Sequence, residues 1–212
     1  VWVGLAKETA HQLGTPISSL MAWIEVMRED PELRKRGITE ELDKDVHKLQ
    51  MITERFSSIG SAPVLKPEMI GDVVNNVISY LRPRLSPKIH FEVKTTEPEL
   101  KAEIHAPLFE WVLENLFKNA VDAMGNSGTI TVNTLKGGSG RIFIDISDTG
   151  KGIPAAVLKK VFSPGVTTKK RGWGLGLTLA RRIVENYHQG RISVKSSGDS
   201  GTTFRIELQE AA

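Results

Sequence analysis

Cysteine is absent from the 212 residues. That excludes a disulfide framework, a thiolate nucleophile and a Cys-ligated zinc. Long apolar runs are absent as well: no stretch approaches the ~20 consecutive apolar residues that a membrane-spanning helix needs, and no signal-peptide pattern opens the chain. Charge of one sign is not in excess. With 28 basic and 25 acidic side chains the formal net charge is only +3, which argues against a nucleic-acid binder working through bulk charge and leaves room for a local anion site. What is present, 40% hydrophobic and 25% charged residues, is the composition of an ordinary folded protein of one or two domains. The first residue is Val1 and it enters directly into a helical pattern, so the expectation is a cytoplasmic fragment whose upstream part has been removed.

The pattern changes character near residue 60. Ala6, Ala10, Leu13, Ile17, Leu20, Ile24 and Met27 step by four and three, the heptad seam of a helix that packs on helices. Asp30-Pro31 breaks it. A second seam follows in Leu42, Val46, Leu49, Thr53 and Phe56. Two such helices make an antiparallel hairpin that leaves a wide apolar face open, and a homodimer forming a four-helix bundle is the simplest way to cover it. Ser57 to Pro67 is short and turn-rich. The division expected is therefore a helical hairpin over 1–60, a linker over 61–67 and a second domain over 68–212.

In that second domain, helix and strand patterns mix. Helices are expected over 69–82, over 107–124 with Pro107 at its start, and over about 173–188. Strands are expected over 88–95, over 128–136 and 141–148 around a Gly-rich turn, and at 192–194 and 203–208. The fold class is thus α + α/β: the hairpin, then an α/β sandwich with helices packed on one face of a mixed sheet.

Four patches of the second domain carry chemistry. Asn115 and Asn119 are four apart, so both amides leave one face of the helix, and neutral amide oxygens suit a hard cation such as Mg²⁺ whose charge is met by phosphates. A polar helix face in water explains the pair equally well. Asp148-Thr149-Gly150-Lys151-Gly152 follows a strand. Its glycines let the backbone approach a ligand, and its carboxylate can accept from an exocyclic amine; a plain Asp/Gly turn is the bland alternative. Phe162 to Leu177 holds three consecutive cations, Lys169 to Arg171, and then Gly172, Gly174 and Gly176 feeding a helix start, a suitable anion cradle or a basic loop. The spacing is neither that of a P-loop nor that of a dinucleotide fingerprint. Gly201-Thr202-Thr203-Phe204 precedes the last strand and alone means only a turn.

Taken in order and at these spacings, the four patches resemble the N, G1, F/G2 and G3 boxes of the GHKL, or Bergerat-fold, ATP-binding domain. Ala10-His11-Gln12-Leu13-Gly14-Thr15-Pro16 resembles the H box of sensor histidine kinases of two-component systems, and the resemblance covers nearly the whole chain. It implies ATP and Mg²⁺ as cofactors, His11 as the phosphorylated nucleophile, and an Asp of a response-regulator receiver domain as the next acceptor. It also implies an upstream sensor domain outside the chain. Asn119 would ligate Mg²⁺ and Asn115 would lie beside the phosphates. Asp148 would read the adenine amine, with Gly150 and Gly152 lining the nucleotide and Thr202 supporting the adenine contact through water. Residues 163–171, including Thr168 and Lys169, would form the ATP lid, with Gly172, Gly174 and Gly176 shaping its hinge and the following helix start. Thr15, four after His11, matches the position that orients water in members with phosphatase activity. Gln12 departs from the family pattern, which has a carboxylate after the His; Gln accepts a hydrogen bond but takes no proton at pH 7.

His11 sits one residue past a seam position, where an imidazole faces solvent with a neutral nitrogen available. The remaining histidines, His47, His90, His105 and His188, show no metal spacing, and His188 before Gly190 suits a helix C-terminus. Two other functions stay open on the residues alone: a GHKL ATPase or Ser kinase, distinguishable because phosphohistidine is acid-labile, and a catalytically weak nucleotide-binding scaffold.

Overall fold

A computed structural model describes residues 13, 17, 18, 20–30, 32, 33, 39, 40, 42, 43, 46, 49, 63–95, 97, 99–167 and 174–211. The chain divides into two compact units, Val1–Pro63 and Val64–Ala212. In the first unit, residues 20–28 are helical and the helix stops at Glu29 and Asp30. Asp30 Oδ1 then accepts the N–H of Glu32 at 2.8 Å, a side-chain cap that starts the next helical stretch. Ile17, Ile24 and Val46 are buried together, with Met21 and Met27 packed against them. Among the described seam members, Leu13, Leu20, Leu42 and Leu49 are exposed. A single chain thus contains no four-helix bundle among its described residues; it contains one buried apolar line and one uncovered one.

The second unit opens with β1 (Lys66–Met69), so Lys66 and Pro67, expected as the end of the linker, belong to a strand. Helix α1 (Ile70–Leu81) follows directly. Its buried residues, Ile70, Val73, Val74, Val77, Ile78 and Leu81, recur at the three- and four-residue spacing of one helix face, and Pro83 in the 3₁₀ turn behind it ends the run. Strands β2 (Ile89–Thr95) and β3 (Lys101–Ile104) lead to the long helix α2 (Ala106–Ala123). Then come β4 (Gly128–Lys136), β5 (Arg141–Asp148) and the one-turn helix α3 (Ala155–Leu158). Helix α4 (Gly176–Arg182) continues into a wider π-helical turn, Ile183–Tyr187, before β6 (Arg191–Gly198) and β7 (Gly201–Gln209) close the fold.

Five strands form one mixed sheet in the order β2-β4-β5-β7-β6. β2 runs parallel to β4, and the other neighbours are antiparallel. β1 and β3 pair separately as a two-stranded antiparallel ribbon. Alternation sets the faces: Ile142, Ile144 and Ile146 of β5 are buried in one core with Phe109, Leu113 and Phe117 of α2. The opposite face carries Asp145, which Arg205 of β7 grips with two hydrogen bonds at 2.7 and 2.8 Å and Lys195 of β6 with a third at 2.7 Å. Three neighbouring strands are tied at one carboxylate. Its burial raises the pKa, but the two cations outweigh that and hold it below the ordinary carboxylate value.

The mixed sheet with helices is the expected α/β architecture, and strands β4 and β5 have the expected bounds. The helix expected over 173–188 starts at Gly176 and is regular only to Arg182. β1, β3 and α3 carry no strong periodicity, being four residues each, too short for a pattern to show.

Candidate active site

Antiparallel pairing decides where the chemistry collects. Ser147 of β5 is opposite Thr203 of β7, and Ile130 of β4 is opposite Asp148. The end of β5 and the start of β7 therefore share one end of the sheet, which places Asp148 beside Thr202. The carboxylate is nearly buried. Its Oδ1 accepts the N–H of Gly150 at 2.8 Å and that of Thr202 at 3.4 Å. Its Oδ2 makes no hydrogen bond among the described residues. Burial pushes the Asp148 pKa up, and the two N–H bonds pull the other way without reversing it. Such a group is ready to receive a donor that a ligand brings.

The loop after Asp148 is pressed between neighbours. A Cβ on Gly150 would stand 2.8 Å from the backbone carbon of Ala123, near the end of α2, and Lys151 donates its N–H to the Ala123 carbonyl at 3.2 Å. Gly152 has φ +70° and lies against the carbonyl of Gly198, so only glycine fits there. Ile153 N–H donates to Ser197 Oγ at 2.7 Å, and that oxygen is 3.0 Å from Thr202 Oγ1. Thr149 Oγ1 accepts the N–H of Thr129 at 3.1 Å, bracing the loop from β4.

Because the loop is attached to Ala123, helix α2 brings its own polar face to the site. Asn119 and Asn115 lie one and two turns before Ala123, and both are half-buried. Between them Lys118 pairs with the buried Glu114 at 2.6 Å. A Cβ on Gly176, the first residue of α4, would meet Asn115 Oδ1 at 3.2 Å. Among the described residues Asn115 Nδ2 is buried without a hydrogen-bond partner, a donor that suits an anionic or carbonyl ligand. Before α4, Gly174 takes φ +63° and its carbonyl accepts the N–H of Gly165 at 3.3 Å, drawing the two ends of the intervening segment together.

Of the residues selected from sequence, Asp148, Gly150 and Thr202 are joined by hydrogen bonds, Gly152 closes the same loop, and Asn115 meets Gly176. Thr168, Lys169 and Gly172 lie outside the described residues, as do His11, Gln12 and Thr15. Among the described residues there is no cluster of three or more His, Asp or Glu able to hold a metal alone. A cation here would depend on neutral amides and on charge supplied by its ligand, which is the donor set Asn119 offers. Among them also no helix is long and apolar enough to cross a membrane. Ser197 was not selected from sequence: the alternation of Ile192 and Val194 points to Ser196 instead.

Residues 104–212 match the family model of histidine kinase-, DNA gyrase B- and HSP90-like ATPases. The sensor histidine kinase ZraS of Salmonella typhi is 29% identical over 96% of this chain, and the chain spans 45% of ZraS. The C4-dicarboxylate transport sensor protein DctB of Rhizobium meliloti is 31% identical over 98% of the chain, which spans 34% of DctB. The solved catalytic domain of the histidine kinase ThkA superposes with a TM-score of 0.63 at 27% identity, covering 69% of this chain and 95% of that domain. A structure of ThkA in complex with the response regulator protein TrrA covers 98% of this chain at 24% identity and a TM-score of 0.63.

Proposed function

Since the chain belongs to the histidine kinase-, DNA gyrase B- and HSP90-like ATPase family, we propose that it is the core of a sensor histidine kinase that transfers the γ-phosphoryl group of ATP to His11 and then to a response regulator. The observation that carries the nucleotide part is the Asp148 carboxylate. Among the described residues both of its hydrogen bonds fall on Oδ1, which leaves Oδ2 to accept the adenine amine. Gly150 and Gly152 line the base, and Thr202 supports the contact. Asn115, with its orphaned Nδ2, lies beside the phosphates. Asn119 would hold Mg²⁺, which supplies charge neutralisation at the phosphates when bound. Thr168, Lys169 and Gly172 belong to the lid that covers them, and Gly174 and Gly176 shape its return into α4.

In the reaction a neutral ring nitrogen of His11 attacks the γ-phosphorus. An N–P bond forms, the β–γ P–O bond breaks and ADP leaves. Positioning and electrostatic stabilisation do most of the work. Gln12 can orient the ring but cannot take its proton, and Thr15 would orient water for phosphatase activity. The second acceptor is the Asp of a receiver domain, a reading supported by the ThkA–TrrA complex. Residues 1–60 would be the dimerisation and phosphotransfer hairpin, and the catalytic domain would be the unit Val64–Ala212, whose first strand takes in the end of the expected linker. The uncovered line of Leu13, Leu20, Leu42 and Leu49 supports closure by a second copy into a four-helix bundle. A cytoplasmic location, with an upstream sensor in the longer protein, completes the reading.

Incubation with γ-labelled ATP and Mg²⁺ tests it. The expected product is acid-labile and base-stable and is absent from His11→Ala, which still binds ATP within a few-fold of the parent. Label that persists in His11→Ala, or that survives acid, sinks the proposal.

A further inference from the structure

Among the described residues β6 is the edge strand of the sheet, bonded to β7 alone. Its Ile192 and Val194 lie opposite Ile206 and Phe204 and face the helices in the common core. Uninterrupted alternation would bring Ser196 to that face, opposite Thr202. The register instead shifts between Val194 and Ser196, so that Ser196 pairs with Thr203 and Ser197 with Thr202. Lys195 is the extra residue of a β-bulge, a device that re-aims a side chain and recurs beside active sites. It is held in place: Lys195 Nζ is 2.7 Å from Asp145 Oδ2 on the opposite face, the carboxylate already gripped by Arg205. A one-residue slip would break that pair and present the wrong serine.

What the bulge delivers is a hydroxyl that closes a ring. Ser197 Oγ accepts the Ile153 N–H at 2.7 Å and lies 3.0 Å from Thr202 Oγ1. Thr202 N–H reaches Asp148 Oδ1, and Gly150 N–H reaches the same oxygen. Ile153 is three residues beyond Gly150. The ring therefore runs from Asp148 through the loop to Ile153, to Ser197, to Thr202 and back to Asp148.

We propose that Ser197 is a positioning residue for adenine recognition, carried to the site by the bulge at Lys195 and acting through Thr202 and the 149–153 loop. This rests on the nucleotide reading above. A hydroxyl both donates and accepts, so one small side chain can bind an N–H and a neighbouring hydroxyl at once. Ala does neither, whereas Thr keeps the oxygen and suits a strand. Ser197 works at the Asp148 end of the site, so its loss alters how the carboxylate meets the base amine and leaves the phosphate end near Asn115 intact.

The experiment measures the affinity of the full chain for ATP and for inosine triphosphate, which has an oxo group in place of the amine, together with each variant's melting temperature. The parent prefers ATP. Ser197→Ala is expected to weaken ATP about 3- to 10-fold, the loss of one hydrogen bond's worth of ordering, and to weaken inosine triphosphate less, so that the preference shrinks. Ser197→Thr restores the preference and Ser196→Ala keeps it. A merely structural role would lower the melting temperature and weaken both nucleotides alike. An unchanged preference in Ser197→Ala, or an equal loss in Ser196→Ala, overturns the proposal. If the parent shows no preference and Asp148→Asn changes nothing, the adenine reading of Asp148 fails, and the role of Ser197 fails with it.

Discussion

His188 Nε2 accepts the backbone N–H of His105 at 3.0 Å, joining positions 83 residues apart in sequence. The link connects the residue after the π-helical turn to the residue that precedes α2. Because Nε2 accepts, the neutral ring carries its hydrogen on Nδ1, which donates to the Ile183 carbonyl at 2.9 Å. Phe109 of α2 packs edge-on against the same ring at 5.7 Å between centroids. The elements that carry Asn115 and Gly176 are thus fastened at their far ends by one buried, neutral imidazole.

That fastening gives a pH dependence. Burial depresses the His188 pKa below 6.5, with the neighbouring His105 ring acting the same way and the hydrogen bond to the Ile183 carbonyl opposing. The unfolded chain then binds a proton more readily than the native one, so stability is full above pH 6.5 and is lost as pH falls through the lowered native value. Urea unfolding at pH 7.5 and 5.5 should show a larger acid loss in the parent than in His188→Gln, whose carbonyl oxygen can still accept the His105 N–H. Equal losses would remove His188 from the account.

Asp145→Asn should destabilise the catalytic unit by about 1.5–3 kcal/mol, the range for hydrogen bonds to a charged group. The parent carboxylate has a lowered pKa, so its contribution is present above the ordinary value of 3.8 and is lost as pH falls through the native value. Denaturant titration at pH 7 measures the loss. A variant as stable as the parent would mean that the three-strand tie adds nothing.

How much of this was legible follows from the physics of each element. α1 and α2 have enough turns for the 3.6 period to show, and β4 and β5 alternate cleanly on either side of a glycine turn. Asn115, Asp148 and Gly176 were visible because their order and spacing resemble a known family. Which of two adjacent serines meets Thr202 was not visible, since a bulge reverses alternation without changing composition. The His105–His188 bond was equally hidden: both residues lie at element ends, where local pattern says nothing of a partner 83 residues away. The parallel pairing of β2 with β4 depends on the crossover through α2, a tertiary fact.

Gly176→Ala tests the contact between α4 and the Asn face of α2. The added methyl would stand 3.2 Å from Asn115 Oδ1, so the amide must move by a few tenths of an ångström. Ala is a better helix residue than Gly by up to ~1 kcal/mol, so the melting temperature should hold or rise. Mg·ATP affinity should nevertheless fall about 3- to 10-fold if the amide's position matters for a bond of ordinary strength. Calorimetric titration decides; an unchanged affinity would free Asn115 from the phosphate role.

Asp148→Asn separates stability from function at a single atom. The native environment raises the Asp148 pKa through burial, so between the ordinary value of 3.8 and the raised one the folded protein binds the proton more readily than the unfolded chain. Stability from this group is therefore fully present at low pH and falls as pH rises through the native pKa. At neutral pH the ionised carboxylate is a burden on the unliganded fold. Asn removes the charge and keeps an oxygen that can accept from Gly150 and Thr202, so the unliganded variant should melt higher than the parent. Binding should move the other way. The amine loses a charged acceptor, which weakens ATP by about 1.5–3 kcal/mol, and affinity in the variant should no longer decline as the solution is acidified. Scanning calorimetry without nucleotide and titration with ATP across pH measure the two halves separately. A variant that melts lower and binds ATP as tightly as the parent would contradict both the burial argument and the assignment of Asp148 to the base.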